Sequence, residues 1–140
     1  MIKYRIVIFD DEEMMRKLLK AFFEDVGYEV FTFEHPGLCT LSLEAKCICS
    51  HPCTDIILSD VHMPFQDGIN LVKEQIKKGC KCENIALMTG DIEYFDLNIE
   101  KVKIFEKPIR ILKIEQWINK IEKNIDPNRK LSSDWISQIK

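Results

Sequence analysis

Two hydrophobic periods alternate along this chain. Short apolar or alternating runs, which are typical of buried strands, occupy residues 5–9, 28–33, 56–59, 85–88 and 102–105. Between and after them, helices are predicted at residues 13–26, 38–45, 68–78, 93–100 and 108–125, the fourth from a short and weak pattern. Because parallel strands need crossover connections, this alternation predicts an α/β fold whose parallel sheet carries helices on both faces.

The spacing of apolar residues also predicts which helix faces are buried. The first helix should pack inward through Met15, Leu18, Leu19, Phe22, Phe23 and Val26. That arrangement leaves Met14 pointing outward, beside the start of the helix. The helix at residues 68–78 should pack inward through Ile69, Leu71, Val72 and Ile76.

The chain divides into a predicted domain at residues 1–125 and a tail at residues 126–140. Asp126-Pro127-Asn128 should end the last helix, and one extra turn is predicted around Trp135, Ile136 and Ile139. Two interpretations of the tail stay open. Trp135 could anchor a partner protein, since tryptophan is enriched at interface hot spots, or the tail could fold back and cap its own domain.

Composition narrows the class of protein. The 140 residues suffice for one domain with one core, and a net charge of -3 argues against a general nucleic-acid binder. No apolar run approaches membrane-spanning length, and the first residues do not resemble a secretory signal. We therefore expect a cytoplasmic protein without membrane or nucleic-acid partners, in which the six cysteines are thiols or metal ligands.

Charged and hydroxyl side chains gather where the predicted strands end. Asp10 and Asp11 follow the first strand, Asp60 the third, Thr89 the fourth and Lys107 the fifth. The carboxyl ends of parallel strands share one edge of the sheet, where ligands bind. Clustered carboxylates suit Mg²⁺, and a carboxylate can act as a nucleophile that forms an aspartyl-phosphate. This edge therefore predicts Mg²⁺-dependent phosphoryl transfer to an aspartate.

Four segments in this order resemble the receiver family of two-component signalling, over residues 3 to about 125. The segments are Asp10-Asp11-Glu12, Asp60-Val61-His62-Met63-Pro64 with Asp67-Gly68, Met88-Thr89-Gly90, and Lys107-Pro108, the last resembling the family's lysine and cis-proline. The resemblance implies a flavodoxin-like, doubly wound, five-stranded sheet of order 2-1-3-4-5.

The resemblance also implies a role for each residue at this edge. Asp60 would be the phosphoacceptor. Mg²⁺ would be bound by Asp60, by Asp11 directly, by Asp10 through water and by the backbone carbonyl of His62. Thr89 and Lys107 would read the phosphate. The chain would be a response regulator. Because no second domain fits after residue 126, we expect the single-domain, stand-alone type, and a receiver excised from a larger hybrid kinase is the variant that stays open. The chain would be a switch and not an enzyme, apart from its own phosphotransfer and slow autodephosphorylation. A sensor histidine kinase or phosphotransfer protein would supply the phosphoryl group, and a downstream protein would receive the signal.

The sequence departs from the family pattern in three places. Ile104 occupies the position, three residues before Lys107, that usually holds a switch phenylalanine or tyrosine, and Phe105 lies beside it. The stretch between Thr89 and Lys107 is short, which predicts a truncated fourth helix. The stretch before Asp60 is long and holds much of the cysteine.

The cysteines leave alternatives open. Cys47, Cys49 and Cys53 precede the third strand, and Cys80 and Cys82 precede the fourth. These are neighbouring strands, so both groups should lie at the edge opposite the acidic residues. They could be semi-buried thiols, ligands of Zn²⁺ or an iron–sulfur cluster, or a disulfide or redox switch. A cysteine-based metal or redox sensing module on the same scaffold is therefore the alternative function. A further alternative is a haloacid-dehalogenase-type phosphohydrolase. Such enzymes carry Asp-x-Asp after the first strand, whereas this chain has Asp10-Asp11 there, which disfavours that class.

Overall fold

The computed structural model describes residues 4–35, 51–63, 67–90, 102–133 and 135–136. It contains five strands and three helices in these ranges, namely β1 (Arg5–Phe9), α1 (Glu13–Asp25), β2 (Glu29–Phe33), β3 (Ile56–Asp60), α2 (Gly68–Lys77), β4 (Asn84–Thr89), β5 (Val102–Glu106) and α3 (Ile111–Glu122). All five strand predictions are confirmed to within a residue at each end. The helices predicted at residues 38–45 and 93–100 lie outside the described residues.

The strands form one parallel sheet of order β2-β1-β3-β4-β5, which confirms the predicted fold class. β1 is paired in register with both neighbouring strands, since Ile6 is the Cα partner of Val30 in β2 and of Ile56 in β3. Ile56 in turn faces Asn84 at the start of β4. Strands that begin together also end together, so this register brings the carboxyl ends of β1, β3 and β4 to one edge.

Alternate residues of the central strands face two separate hydrophobic cores. On one face, Ile6 and Ile8 of β1 pack in a cluster with side chains of α1 and α3. On the other face, Val7 and Phe9 pack in a cluster with side chains of α2. Helices therefore cover both faces. Within the ranges given above, no helix is both long enough and apolar enough to span a bilayer.

Three residues predicted to face inward are exposed by half. Leu19 and Phe23 are the fully buried centre of the α1 face, whereas Leu18 is 50% exposed. At about 100° of rotation per residue, Leu18 lies at the margin of that face. Val26 is 53% exposed because α1 has already ended at Asp25. Ile76 is 51% exposed in the last turn of α2, which therefore extends past the core. Met14 is 73% exposed, as predicted.

The last helix is shorter than predicted at both ends. Pro108 does not open it, because residues 109 and 110 intervene and Arg110 has the extended backbone of an N-cap (φ -106, ψ 111). The Lys107-Pro108 peptide bond is cis, as the family resemblance implied. α3 ends at Glu122, and further along the chain the backbone N–H of Ser132 donates to the carbonyl of Pro52, in the loop before β3.

The tail folds back onto its own domain. Trp135, in a short 3₁₀ turn, is 4% exposed and belongs to the core cluster under α2. Its ring meets Phe31 of β2 edge-on at 5.1 Å, and its indole N–H donates to the carbonyl of Ser132 at 2.8 Å. The interpretation of Trp135 as a partner anchor is therefore wrong, because the indole is already buried within this chain. The boundary at residue 125 stays a prediction.

Two arginines fasten the tail to the amino edge of the sheet. Arg5 of β1 donates to the carbonyls of Cys53 (2.9 Å) and Ser132 (3.1 Å), and its guanidinium carbon lies 6.0 Å from the ring centre of Trp135. Arg129 forms two hydrogen bonds with the buried carboxylate of Asp55, at 2.8 and 2.7 Å. Removing one partner of such a buried pair strongly destabilises a protein, because the other group is then left buried without compensation.

Candidate functional site

The predicted acidic residues meet at the carboxyl edge of the sheet. Asp10 follows β1, and Asp60 is the last residue of the adjacent strand β3. One carboxylate oxygen from each of Asp10, Asp11 and Asp60 lies within 4.8 Å of the others. Carboxylates at this separation repel one another, and a bound divalent cation would offset that repulsion.

Asp60 is the centre of this group. Its side chain is 3% exposed, and Lys107 reaches it from the end of β5 with Nζ 3.1 Å from Oδ2. The backbone N–H of His62 donates to Oδ1 at 3.3 Å. Burial raises the pKa of Asp60, while the Lys107 ammonium opposes that rise. The predicted pairing of a carboxylate with a lysine is present, and both oxygens of Asp60 have a hydrogen-bond donor.

Asp10 has one oxygen without a partner. The residue is fully buried, and Oδ1 accepts from the backbone N–H of Glu12 at 2.9 Å. Its Oδ2 is also buried and has no hydrogen-bond partner among the residues that the structure describes. Burial, and secondarily the Asp60 carboxylate, raises the pKa of Asp10 to about 6. A buried, unsatisfied carboxylate oxygen beside two other carboxylates fits a divalent cation with oxygen ligands.

The remaining predicted residues around Asp60 differ in how exposed they are. Asp11 is exposed, at the mouth of the site. Thr89 is fully buried at the end of β4, and its carbonyl accepts from the backbone N–H of Lys107 at 2.8 Å. That bond holds the end of β4 against the segment that carries the lysine. Gly90, directly after Thr89, is exposed.

Sequence reasoning missed two supports of the site. A Cβ on Gly68 would lie 2.2 Å from the carbonyl oxygen of Asp60, so only glycine fits behind the central carboxylate. The Gly68 N–H also donates to the Val61 carbonyl at 2.8 Å, which fixes the turn after Asp60. Arg16, one turn into α1, donates to the Asp10 carbonyl at 2.8 Å. The Asp67-Gly68 pair was the only sequence signal for the role of Gly68. Asp67 caps α2, because its side chain accepts a hydrogen bond from the backbone N–H of Asn70.

The position of the usual switch aromatic holds an aliphatic side chain, as the sequence indicated. Ile104 is half-buried, whereas Phe105 is buried on the opposite face of β5. Phe105 packs edge-on against Trp117 of α3, with ring centres 5.7 Å apart. Phe105 is thus a core residue and is not placed to take over the role of an exposed ring.

Cys53, Cys80 and Cys82 lie at the opposite edge of the sheet, as predicted. In the described part of the chain, the acidic triad is the only group of three or more potential ligands close enough to share a metal ion. These three thiols therefore do not form a metal site by themselves, and none of them is in a disulfide. Cys39, Cys47 and Cys49 lie outside the described residues.

Comparison with known proteins identifies the same family. Residues 6–119 match the family model of the response regulator receiver domain. The chain is 28% identical to the chemotaxis protein CheY of Thermotoga maritima over 124 residues, which cover 85% of this chain and 98% of CheY. It is 39% identical to the regulatory protein AtoC of Escherichia coli over 70 residues, which cover 50% of this chain but only 14% of AtoC. The chain thus matches a small part of that longer regulator.

Solved structures agree on the fold. The chemotaxis response regulator CheY4 of Vibrio cholerae superposes with a TM-score of 0.66 at 22% identity, over 85% of this chain and 98% of that one. At this identity the likeness establishes the architecture alone. No comparison supports cysteine-based sensing as the function of the scaffold.

Proposed function

The chain belongs to the response regulator receiver domain family, and on that premise we propose that it accepts a phosphoryl group on Asp60 from a sensor histidine kinase or phosphotransfer protein. The observation that carries the proposal is the 3.1 Å contact between Lys107 Nζ and the buried Asp60 carboxylate, beside two further carboxylates. Such a domain is a signalling switch and not an enzyme with an external turnover.

The transfer requires one bond to form and one to break. A carboxylate oxygen of Asp60 attacks the phosphorus of a phosphohistidine, and the phosphorus–nitrogen bond breaks, which leaves the electron pair on the imidazole. Asp60 must be ionised to attack, and the Lys107 ammonium favours that form. The resulting acyl phosphate brings two negative charges into a pocket of carboxylates. It can therefore form only if nearby positive charges offset them.

Two groups of this chain supply that compensation. Lys107 carries a fixed positive charge within reach of the new phosphate, since it already contacts Asp60. Asp10 and Asp11, with Asp60 and the His62 backbone carbonyl, would hold Mg²⁺, which neutralises oxygens of the transferring group when it is bound. The Oδ2 of Asp10, which has no hydrogen-bond partner within the described residues, supports this assignment.

Thr89 would transmit the change. Its side chain is buried at the end of β4, so a hydroxyl that bonds the phosphate must draw the following loop inward. The population shift arises from contacts that exist only in the phosphorylated state. With Ile104 in place of an aromatic ring, we expect the readout on β5 to be small.

The kinase contact is assigned to the exposed start of α1. Met14 and Leu18 are 73% and 50% exposed, and both lie within two turns of Asp10 and Asp11. Apolar side chains at the mouth of a phosphorylation site are suited to docking of a partner. The downstream protein would bind a surface that changes with Thr89, and we expect both encounters in the cytoplasm.

The test is incubation with acetyl phosphate and Mg²⁺ followed by intact mass measurement. The native chain should gain one phosphoryl group, and the gain should vanish with EDTA. Asp60→Asn should abolish it. Asp25→Asn, which removes an exposed carboxylate at the end of α1, should leave it unchanged. A phosphoryl group that persists in folded Asp60→Asn protein would overturn the proposal.

A further inference from the structure

Two cysteines from different loops meet at the amino edge of the sheet. Cys53 lies three residues before β3, and Cys80 lies four residues before β4. Because β3 and β4 are paired with Ile56 opposite Asn84, the two loops that lead into them run side by side. Both cysteines are half-buried and border one small apolar cavity between the sheet and α2. Neither residue takes part in the phosphoryl-transfer site at the other edge.

Cys53 and Cys80 pack against the same hydrophobic cluster. Their side chains line the same cavity, and Cys53 lies close enough to act as a hydrogen-bond donor to the Cys80 thiolate. Partial burial leaves both side chains within reach of a small oxidant, while the surrounding apolar cluster restricts access by larger molecules.

The local electrostatics separates Cys80 from its neighbour Cys82. The hydrogen bond from Cys53 lowers the pKa of Cys80 to about 6, with further help from a backbone bond and from the charge of Lys81. Full burial instead raises the pKa of Cys82, whose thiol points at the carbonyl of Asn84 at 3.7 Å. Since the thiolate is the reactive form, the half-buried Cys80 is better suited to act as a nucleophile than the buried Cys82.

We propose that Cys53 and Cys80 form a redox-active dithiol that closes to a disulfide when it meets a peroxide. The Cys80 thiolate attacks one oxygen of hydrogen peroxide, the O–O bond breaks, and the second oxygen leaves as hydroxide and takes up a proton to give water. Cys80 is then a sulfenic acid. The sulfur of Cys53 attacks the sulfur of Cys80, the S–O bond breaks, and a second water leaves with the thiol proton. Two thiols and one peroxide give one disulfide and two waters.

The disulfide would join the loop before β3, which already holds the tail, to the loop before β4. The Cys53 carbonyl accepts from Arg5, and the Pro52 carbonyl accepts from the backbone N–H of Ser132 at 2.8 Å. Oxidation would therefore act on the amino edge of β3 and β4, whose carboxyl ends carry Asp60 and Thr89. The proposal concerns a second chemistry of the molecule and does not depend on phosphorylation of Asp60.

The experiment treats the reduced full chain with hydrogen peroxide at neutral pH and maps the products after alkylation and trypsin digestion. Cleavage after Lys46, Lys73, Lys78, Lys81 and Lys101 puts Cys53 in peptide 47–73, Cys80 in peptide 79–81 and Cys82 in peptide 82–101. We expect a loss of two hydrogen atoms in the intact mass and a crosslink between peptides 47–73 and 79–81. Cys53→Ser and Cys80→Ser should each abolish that crosslink, and Cys82→Ser is the matched control that should keep it.

Other outcomes would overturn the proposal. Peptide 47–73 also contains Cys47 and Cys49, so a crosslink to peptide 79–81 that persists in Cys53→Ser would assign the partner to one of them. Oxidation of Cys82 in preference to Cys80 would contradict the assignment of the nucleophile. Circular dichroism of each variant verifies folding, and unchanged labelling of Cys80→Ser by acetyl phosphate separates this chemistry from that of Asp60.

Discussion

Replacing Trp135 with alanine tests whether the tail is part of the folded domain. The side chain is 4% exposed, and an aromatic residue of this kind buries about 150–250 Å². At about 25 cal/mol per Å², that burial is worth roughly 4–6 kcal/mol. Substitutions of buried tryptophan by alanine cost about 3–5 kcal/mol. The mutated tail can also undock instead of leaving a cavity, which limits the loss, so we expect about 3 kcal/mol.

The assay is thermal and urea unfolding followed by circular dichroism. For a chain of this length a loss of 3 kcal/mol corresponds to a fall in Tm of roughly 10 °C. Trp135→Phe should cost about 1 kcal/mol, because it keeps a ring beside Phe31 and loses the hydrogen bond to Ser132. Leu112→Ala, at a side chain that is 72% exposed on α3, should stay within about 0.5 kcal/mol.

Two results would refute this reasoning. If Trp135→Ala melted within 2 °C of the native chain, the tail would not be docked in solution. The contacts that Arg5 and Phe31 make with the tail would then not contribute to the stability of the folded state. A truncation after Asn128 that left stability unchanged but abolished binding of a partner would restore the interpretation of Trp135 as an interface residue.

Three further perturbations follow from the site. Lys107→Ala should slow phosphorylation by acetyl phosphate roughly 10²-fold, measured by timed intact mass, whereas Lys113→Ala, on the exposed face of α3, should not. Gly68→Ala should cost about 1–3 kcal/mol in urea unfolding, because its Cβ would displace the Asp60 backbone. Gly90→Ala, whose Cβ would have its nearest neighbour at 3.9 Å, should be nearly neutral, and equal effects at both glycines would contradict the argument. In metal-free buffer, the free energy of unfolding of the native protein should fall by about 1–3 kcal/mol, relative to that of Asp10→Asn, as pH rises from 4 to 7. The folded state holds a proton on Asp10 up to a pKa of about 6, whereas the unfolded chain releases it near 3.8. A pH-independent difference between the two urea unfolding energies would refute the assignment.

The sheet and the acidic edge could be predicted because they depend on local pattern and topology. Runs such as residues 5–9 are apolar whatever they pair with, and the order of a parallel sheet decides which strand ends meet. Asp10, Asp60 and Lys107 therefore assemble from widely separated segments without any knowledge of side-chain contacts.

The errors arose where three-dimensional context overrides periodicity. Leu18 and Ile76 fit an apolar repeat, but burial depends on where the helix crosses the core, which no repeat specifies. The role of Gly68 depends on how closely its backbone approaches Asp60. Trp135 lies in a segment without periodic pattern, and its partner Arg5 is 130 residues away, so the sequence could offer only the two alternatives.

The contacts between Arg5 and the tail also bear on the order of folding. Arg5 bonds to Ser132 and Ser133, at separations of 127 and 128 residues, so the contact closes a very long loop. During synthesis, β1 can pair with its neighbours before the tail has left the ribosome. The edge of β2 around Phe31 would then stay uncovered until Trp135 emerges. A nascent chain arrested before Trp135 should therefore expose an apolar surface that the finished protein hides, and chaperones would recognise that surface.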